Sequence, residues 1–158
     1  MTEKLDPRDA EMLDKLPMIS VNLGPSFENK LKEIVLKWQE KLGLKEQKIM
    51  VTIEPAESTD YMADHFIFDS KTFVSANENP EYYIETIRNQ NVKLIWILFY
   101  PTNWKKLSLE QCEQSILHEL LHVVYPEKLT IKNGTVIWEN KLWINSKARE
   151  LLDNQKLT

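Results

Sequence analysis

The run from Val92 to Tyr100 constrains the fold of this chain more than any other segment. Apart from Lys93, its central residues are apolar at successive positions, so both faces of a strand built from them are apolar. Such a strand must be covered on both sides or lie in the middle of a sheet. We therefore expect this run to be a central strand of a globular domain.

Four segments are predicted to be helices, because their apolar residues recur at three- and four-residue spacing or a start signal precedes them. Asp6 before Pro7 is one such signal, and Ser108 with Gln111 forms a capping box. Gly43 is a typical helix stop. The predicted helices cover residues 7–15, 27–42, 109–124 and 139–152, and the segment 17–25 is predicted to be a connector.

The other apolar segments are predicted to be strands, at 49–53, 61–68, 72–75, 82–87 and 92–100. The segment 82–87 is ambiguous, because Pro80-Glu81 is also able to open a helix; we favour the strand. Two further strands, 129–132 and 135–138, flank Asn133-Gly134, a strong signal for a type I′ hairpin. A helix starting near Thr135 is the competing interpretation.

The order of these elements predicts an α+β fold. We expect a mixed, mostly antiparallel sheet packed against the helix 109–124, with an N-terminal helix and a C-terminal helix. With 158 residues, the chain has the length of one ordinary domain. The predicted organisation is a short helix and connector over 1–25, followed by a single domain over 26–158.

Composition excludes several partners. The net charge of -4 argues against nucleic acid, whose phosphates require a basic face. No apolar run approaches the roughly 20 residues that span a bilayer, so we expect no membrane partner. A single cysteine, Cys112, excludes an internal disulfide and favours a reducing compartment, for which we expect the cytoplasm. Cys112 itself is expected to be a small core residue.

The chemistry is expected in the segment 118–122, which reads His-Glu-Leu-Leu-His. Residues four apart on a helix share one face, so His118 and His122 can bind one metal ion. Zinc accepts imidazole and carboxylate ligands, and a catalytic zinc site keeps one position open for water. Glu119 is then placed to take a proton from that water as a general base. The apolar residues around this turn predict a buried helix, in which the three polar groups require partners; three side chains exposed to solvent are the alternative interpretation.

With its apolar flanks Ile116 and Val123-Val124, this segment resembles the active-site helix of the zincin metallopeptidases. The order of helix, sheet, active-site helix and further helix resembles small zincins of the glutamate-liganded, gluzincin-like type. The metzincin branch is excluded, because Tyr125 and Lys128 occupy the positions where it requires glycine and histidine. In zincins the edge of the sheet lies beside the metal and pairs with an extended substrate.

The third metal ligand is expected to be a carboxylate, since no histidine follows His122. Glu139 is the first candidate, because glutamate-liganded zincins use a glutamate on a helix after the motif. The alternatives are Glu127, Glu150 and Asp153. An aspartate four residues beyond that glutamate often supports a zinc histidine in these families. Here Trp143 occupies that position, and Asn140 or Asp153 could replace the aspartate.

Two further side chains are candidates for helping at the site. His65 lies in an aromatic, strand-like stretch, and Tyr125 lies three residues after His122. Each is able to donate a hydrogen bond to a transition state, although packed or surface positions are the commoner roles for such residues.

The function expected from the motif and the resemblance is that of a zinc-dependent metallopeptidase acting on peptides or unfolded proteins. The alternative is a latent or non-catalytic zinc-binding module with an interaction or regulatory role on the same fold. The absence of the supporting aspartate favours this alternative, because losing such a group typically weakens metal affinity or activity about 10- to 100-fold. Glu119 argues against it, because a purely structural zinc does not need a carboxylate beside the histidine.

Overall fold

The computed structural model describes residues 18–20, 24–54, 62–76, 78–100, 107–126, 129–133, 135–138 and 141–156. The helix predicted at 7–15 lies outside these residues. Within them the chain has the expected α+β fold. The helices are α1 (Pro25–Lys41), α2 (Pro80–Arg88), α3 (Leu109–Val124) and α4 (Lys141–Lys156). The strands are β1 (Met18–Ser20), β2 (Lys48–Ile53), β3 (Met62–Phe68), β4 (Phe73–Val74), β5 (Leu94–Tyr100), β6 (Leu129–Lys132) and β7 (Thr135–Trp138).

Strand β5 is central, as its two-sided apolar pattern predicts. It belongs to a five-stranded sheet in the order β1-β2-β5-β3-β4. It pairs in parallel with β2 and antiparallel with β3. The sheet is therefore mixed, as expected, but its described strands form two parallel and two antiparallel pairs rather than a majority of antiparallel ones. Among the described strands, β1 and β2 form the other parallel pair, whereas β3–β4 and the separate hairpin β6–β7 are antiparallel.

The core lies on one face of this sheet. Alternate residues of β2 and β5 point to it, because successive side chains of a strand alternate between faces. The helices α1 and α3 pack on the same core through Leu31, Val35, Ile116 and Leu120. Full burial of an aliphatic side chain of this size stabilises the fold by about 1.5–3 kcal/mol. The buried residues of the two strands on this face are Ile49, Val51, Ile53, Ile95, Ile97 and Phe99, whereas Leu98, which is also buried, points to the opposite face.

The strand predicted at 82–87 is wrong, because this segment belongs to helix α2. Pro80 occupies the first turn, where a missing N–H costs nothing, and Glu81 and Arg88 lie at the ends that favour their charges. Tyr83 and Thr86 are the buried residues of the helix, at helical rather than alternating spacing. The helix start at Pro80-Glu81, the interpretation not favoured from the sequence, is therefore the one that the structure adopts.

Two other boundaries differ from expectation. The segment predicted as a connector contains β1, which pairs in parallel with Met50–Thr52 of β2. The last helix begins at Lys141 and continues to Lys156, beyond the predicted end at Leu152. The hairpin β6–β7 forms as predicted, and Asn133 adopts the positive φ of 53° that a type I′ turn requires at its first central residue. Gly134 lies outside the described residues.

Helix α3, which carries the candidate motif, is fixed at its start and along one side. Its predicted capping box is present: the Ser108 hydroxyl accepts from the Gln111 N–H, and the Gln111 side chain accepts from the Ser108 N–H. Farther along, the Glu113 carboxylate accepts hydrogen bonds from Lys37 and from the Trp38 indole N–H of α1. These bonds tie α3 to α1.

The same network reaches α4, because Lys37 also donates to the Gln155 side chain over 2.7 Å.

In the part of the chain that the structure describes, no helix combines the length and the apolarity needed to span a membrane.

Candidate metal centre

The His-Glu-Leu-Leu-His segment occupies the C-terminal half of α3. Because this half of the helix is covered by the sheet and by other helices, its polar residues are largely removed from water. Glu119 and His122 are buried, with 4% and 5% of their surface exposed, and His118 is partly buried. Polar groups in such a place require partners, since burying them unpaired costs free energy.

The two histidines of the motif converge on one point. Their Nε2 atoms are 3.0 Å apart, and their ring planes are nearly perpendicular. Zinc–nitrogen bonds are about 2.0–2.1 Å long, so one zinc ion bound by both atoms would subtend an N–Zn–N angle of roughly 95°. That angle is somewhat below the tetrahedral value. The pair therefore fits a shared zinc ion with a small adjustment of the side chains.

The Glu119 carboxylate lies beside this pair. Possible ligand atoms of His118, Glu119 and His122 all lie within 4.8 Å of one another. Burial raises the pKa of the Glu119 carboxyl, but His65, His122 and His118 lower it by more in sum, so the pKa lies below its ordinary value. Glu119 is thus a carboxylate near neutral pH, which is the form that accepts a proton.

His65 of β3 also belongs to the site. Its Nδ1 atom is 3.5 Å from Oε1 of Glu119, and its ring stacks on that of His122 with 5.6 Å between the centroids. Its Nε2 atom is 2.6 Å from the hydroxyl of Tyr83 on α2. The structure therefore brings all three histidines of the chain together around Glu119.

Tyr83 and Asp64 were not singled out from the sequence. Tyr83 was missed because its segment was expected to be a strand, although the helical spacing of Tyr83 and Thr86 was available as a signal. Asp64 precedes His65, accepts a hydrogen bond from the His65 N–H over 2.8 Å, and has a pKa raised by burial. Possible ligand atoms of Asp64, His65 and Glu119 also lie within 4.8 Å of one another.

The candidates for the third ligand divide into two groups. Glu139 and Glu127 lie outside the described residues. Glu150 and Asp153 are exposed on α4, and Glu150 forms an ion pair with Lys147 at 3.7 Å. Within the described ranges, neither joins His118 and His122 in a group with the spacing of metal ligands.

A cavity of about 470 Å³ opens beside His118, between α3 and α4. Asp153 lines it together with Asn145 and Arg149 of α4 and Gln114 of α3. His118 is thus reached from this crevice, whereas His122 and Glu119 are buried on the side of the sheet.

The remaining sequence candidates have structural partners. Tyr125 packs edge-to-face on Trp143, with ring centroids 4.9 Å apart. Trp143, which occupies the position of the supporting aspartate, therefore contributes an aromatic contact between α3 and α4. Asn140 lies outside the described residues. Cys112 is buried in the core as expected, and burial raises the pKa of its thiol to about 12.

We compared this chain with known families, curated proteins and solved structures. No protein-family model, no curated protein and no solved structure matches this chain.

Proposed function

We propose that this chain is a zinc-dependent metallopeptidase that hydrolyses peptides or unfolded proteins. The observation that carries the proposal is the convergence of the two Nε2 atoms of His118 and His122, 3.0 Å apart, beside the buried carboxylate of Glu119. Two imidazole ligands and an adjacent carboxylate base belong to the set of groups that a catalytic zinc site with an attacking water uses, and a third protein ligand completes that set.

In the proposed reaction, His118 and His122 would hold the zinc ion, and Glu139 would be the third ligand. When bound, zinc lowers the pKa of a coordinated water to about 7. Glu119 accepts a proton from the attacking water at a carboxylate oxygen and passes it to the departing amine. The substrate reaches the site from the side of His118, where the crevice between α3 and α4 opens.

The cytoplasm is the proposed compartment. Cys112 is the chain's single cysteine and is buried, so it is not placed to form a disulfide at the surface. This fits a protein that works under reducing conditions.

The direct test measures zinc content and hydrolysis in the same preparation. After dialysis against zinc and removal of the excess, we expect elemental analysis to find about one zinc per chain, as a mononuclear site requires. The preparation should cleave unfolded casein, lose this activity with 1,10-phenanthroline, and regain it when zinc is added. A zinc content near zero contradicts the proposal.

One observation favours a second function, that of a zinc-binding module without turnover. Trp143 packs on Tyr125 and offers no carboxylate to support a zinc histidine. The same experiment separates the two functions: stoichiometric zinc without cleavage of casein supports the module and contradicts the peptidase.

The third ligand is tested by replacing each candidate carboxylate in turn. Glu139→Ala is expected to weaken zinc binding by more than the roughly 100-fold loss typical of changes outside the ligand set. The matched variants Glu127→Ala, Glu150→Ala and Asp153→Ala should bind zinc as the unchanged protein does. Competition with a chromophoric chelator measures all four affinities. Unchanged affinity in Glu139→Ala would assign the ligand to whichever of the other variants loses zinc.

A further inference from the structure

Three buried polar side chains form a continuous line from α2 through β3 to α3. The Tyr83 hydroxyl is 2.6 Å from His65 Nε2, and His65 Nδ1 is 3.5 Å from Glu119 Oε1. The exposed fractions of the three residues are 0%, 4% and 4%. Each group therefore depends on its neighbours in the line, because water does not reach them to replace a missing partner.

The partners indicate the direction of the hydrogen bonds. Burial raises the pKa of the Tyr83 phenol well above its ordinary value, so the phenol keeps its proton and donates it. An imidazole that accepts at Nε2 carries its own proton on Nδ1 when neutral. That N–H faces the Glu119 carboxylate. The assigned order is thus Tyr83 donating to His65, and His65 donating to Glu119.

We propose that His65 is a positioning residue for Glu119, and that Tyr83 fixes the tautomer and the ring orientation of His65. The inference rests on the proposed function, in which Glu119 is the general base. The His65 contact engages Oε1 and leaves Oε2 as the oxygen that accepts the proton of the attacking water. A general base must lie within hydrogen-bond reach of that proton, so a fixed orientation of this flexible side chain raises the rate.

His65 also lies beside a proposed metal ligand, because its ring stacks on that of His122. The ring of His65 thereby forms part of the wall that encloses Glu119. A purely structural His65 would serve this packing and the bond to Tyr83, without any need for its Nδ1 atom. The positioning role of His65 therefore depends on its Nδ1 atom, whereas a purely structural role depends on its Nε2 atom.

Two amide variants distinguish the contribution of the Nδ1 atom of His65 from that of its Nε2 atom. In His65→Asn the side-chain NH₂ takes the place of Nδ1 and still faces Glu119. In His65→Gln the amide reaches the place of Nε2 and still faces Tyr83. Hydrolysis of fluorescently labelled casein gives kcat and KM for both variants, for His65→Ala and for Tyr83→Phe, with zinc content measured beside each.

We expect His65→Asn to retain most of kcat, whereas His65→Gln and His65→Ala lose about 10- to 100-fold, the range seen when supporting groups are removed. KM and zinc content should stay unchanged in all of them. Tyr83→Phe keeps its ring in the core and should lower kcat by a smaller factor; it provides the test if the His65 variants fail to fold. Equal kcat for His65→Asn and His65→Gln, or an unchanged kcat in Tyr83→Phe, overturns the inference.

Metal counting supplies an independent test, since Asp64, His65 and Glu119 have the spacing of metal ligands. Two zinc ions per chain, with one lost in His65→Ala, would make His65 a ligand and overturn its positioning role. Failure of the proposed function looks different: casein would not be cleaved, or cleavage would not depend on Glu119. If cleavage depends on Glu119 but not on His65, only the present inference fails.

Discussion

Replacing Glu119 by glutamine is expected to lower kcat for casein hydrolysis by about 100- to 10,000-fold, the usual contribution of a general base. Glutamine has nearly the same shape but cannot accept the proton of the attacking water. Glu119 is buried beside His65 and both histidines of the motif. The substitution therefore removes one negative charge from a buried site that holds three imidazoles. Zinc content should remain at that of the unchanged protein.

The matched control is Glu33→Gln, which makes the same substitution at an exposed position on α1. It should leave kcat and zinc content unchanged. Thermal unfolding followed by circular dichroism checks that both variants are folded. If Glu119→Gln hydrolyses casein as fast as Glu33→Gln, Glu119 is not the general base and the proposed mechanism is wrong.

The elements that the sequence predicted well are those whose signals are local and mutually consistent. The apolar run that forms β5 predicted a strand covered on both sides or central to a sheet, and Ser108 with Gln111 defined the start of α3 without reference to the rest of the chain. Periodicity also separated α1 from β2, since the spacing of apolar residues changes from helical to alternating near Gly43. In these segments local propensity and tertiary packing favour the same conformation.

The error at Pro80–Arg88 arose where the local signals conflict. Isoleucine, threonine and tyrosine favour strands, whereas Pro80 and Glu81 favour the first turn of a helix. Tertiary packing decides between them, because the helix buries Tyr83 completely and brings its hydroxyl to His65. That contact joins residues 18 positions apart, and no periodicity within either segment reports it.

For the candidate site, as for the fold, the sequence predicted the local part and not the contacts between distant segments. His118, Glu119 and His122 lie within one helical stretch, so their spacing alone places them together. The approach of His65 to Glu119 spans 54 positions and depends on how β3 lies against α3. Since helix–sheet packing is set by the whole core, the sequence supplied His65 only as a weak candidate and did not identify Tyr83 or Asp64.

Zinc is expected to stabilise the folded chain, and the double variant His118→Ala/His122→Ala should abolish this effect. A ligand that binds only the folded state at 100 times its Kd adds about 2.7 kcal/mol to the free energy of unfolding. For a domain of this size that corresponds to a rise in Tm of roughly 5 to 10 °C. The two Nε2 atoms supply the convergent nitrogen ligands, so the variant retains no imidazole of the motif.

The measurement compares the Tm of each protein with and without zinc, so that any loss of stability from truncating the buried His122 cancels within the variant. Magnesium at the same concentration is the control ion, because it prefers oxygen ligands and should shift neither protein. A zinc-dependent rise that persists in the double variant would mean that zinc binds elsewhere. Since Asp64, His65 and Glu119 also have the spacing of metal ligands, Asp64→Asn combined with the double variant would then show whether that group holds the ion.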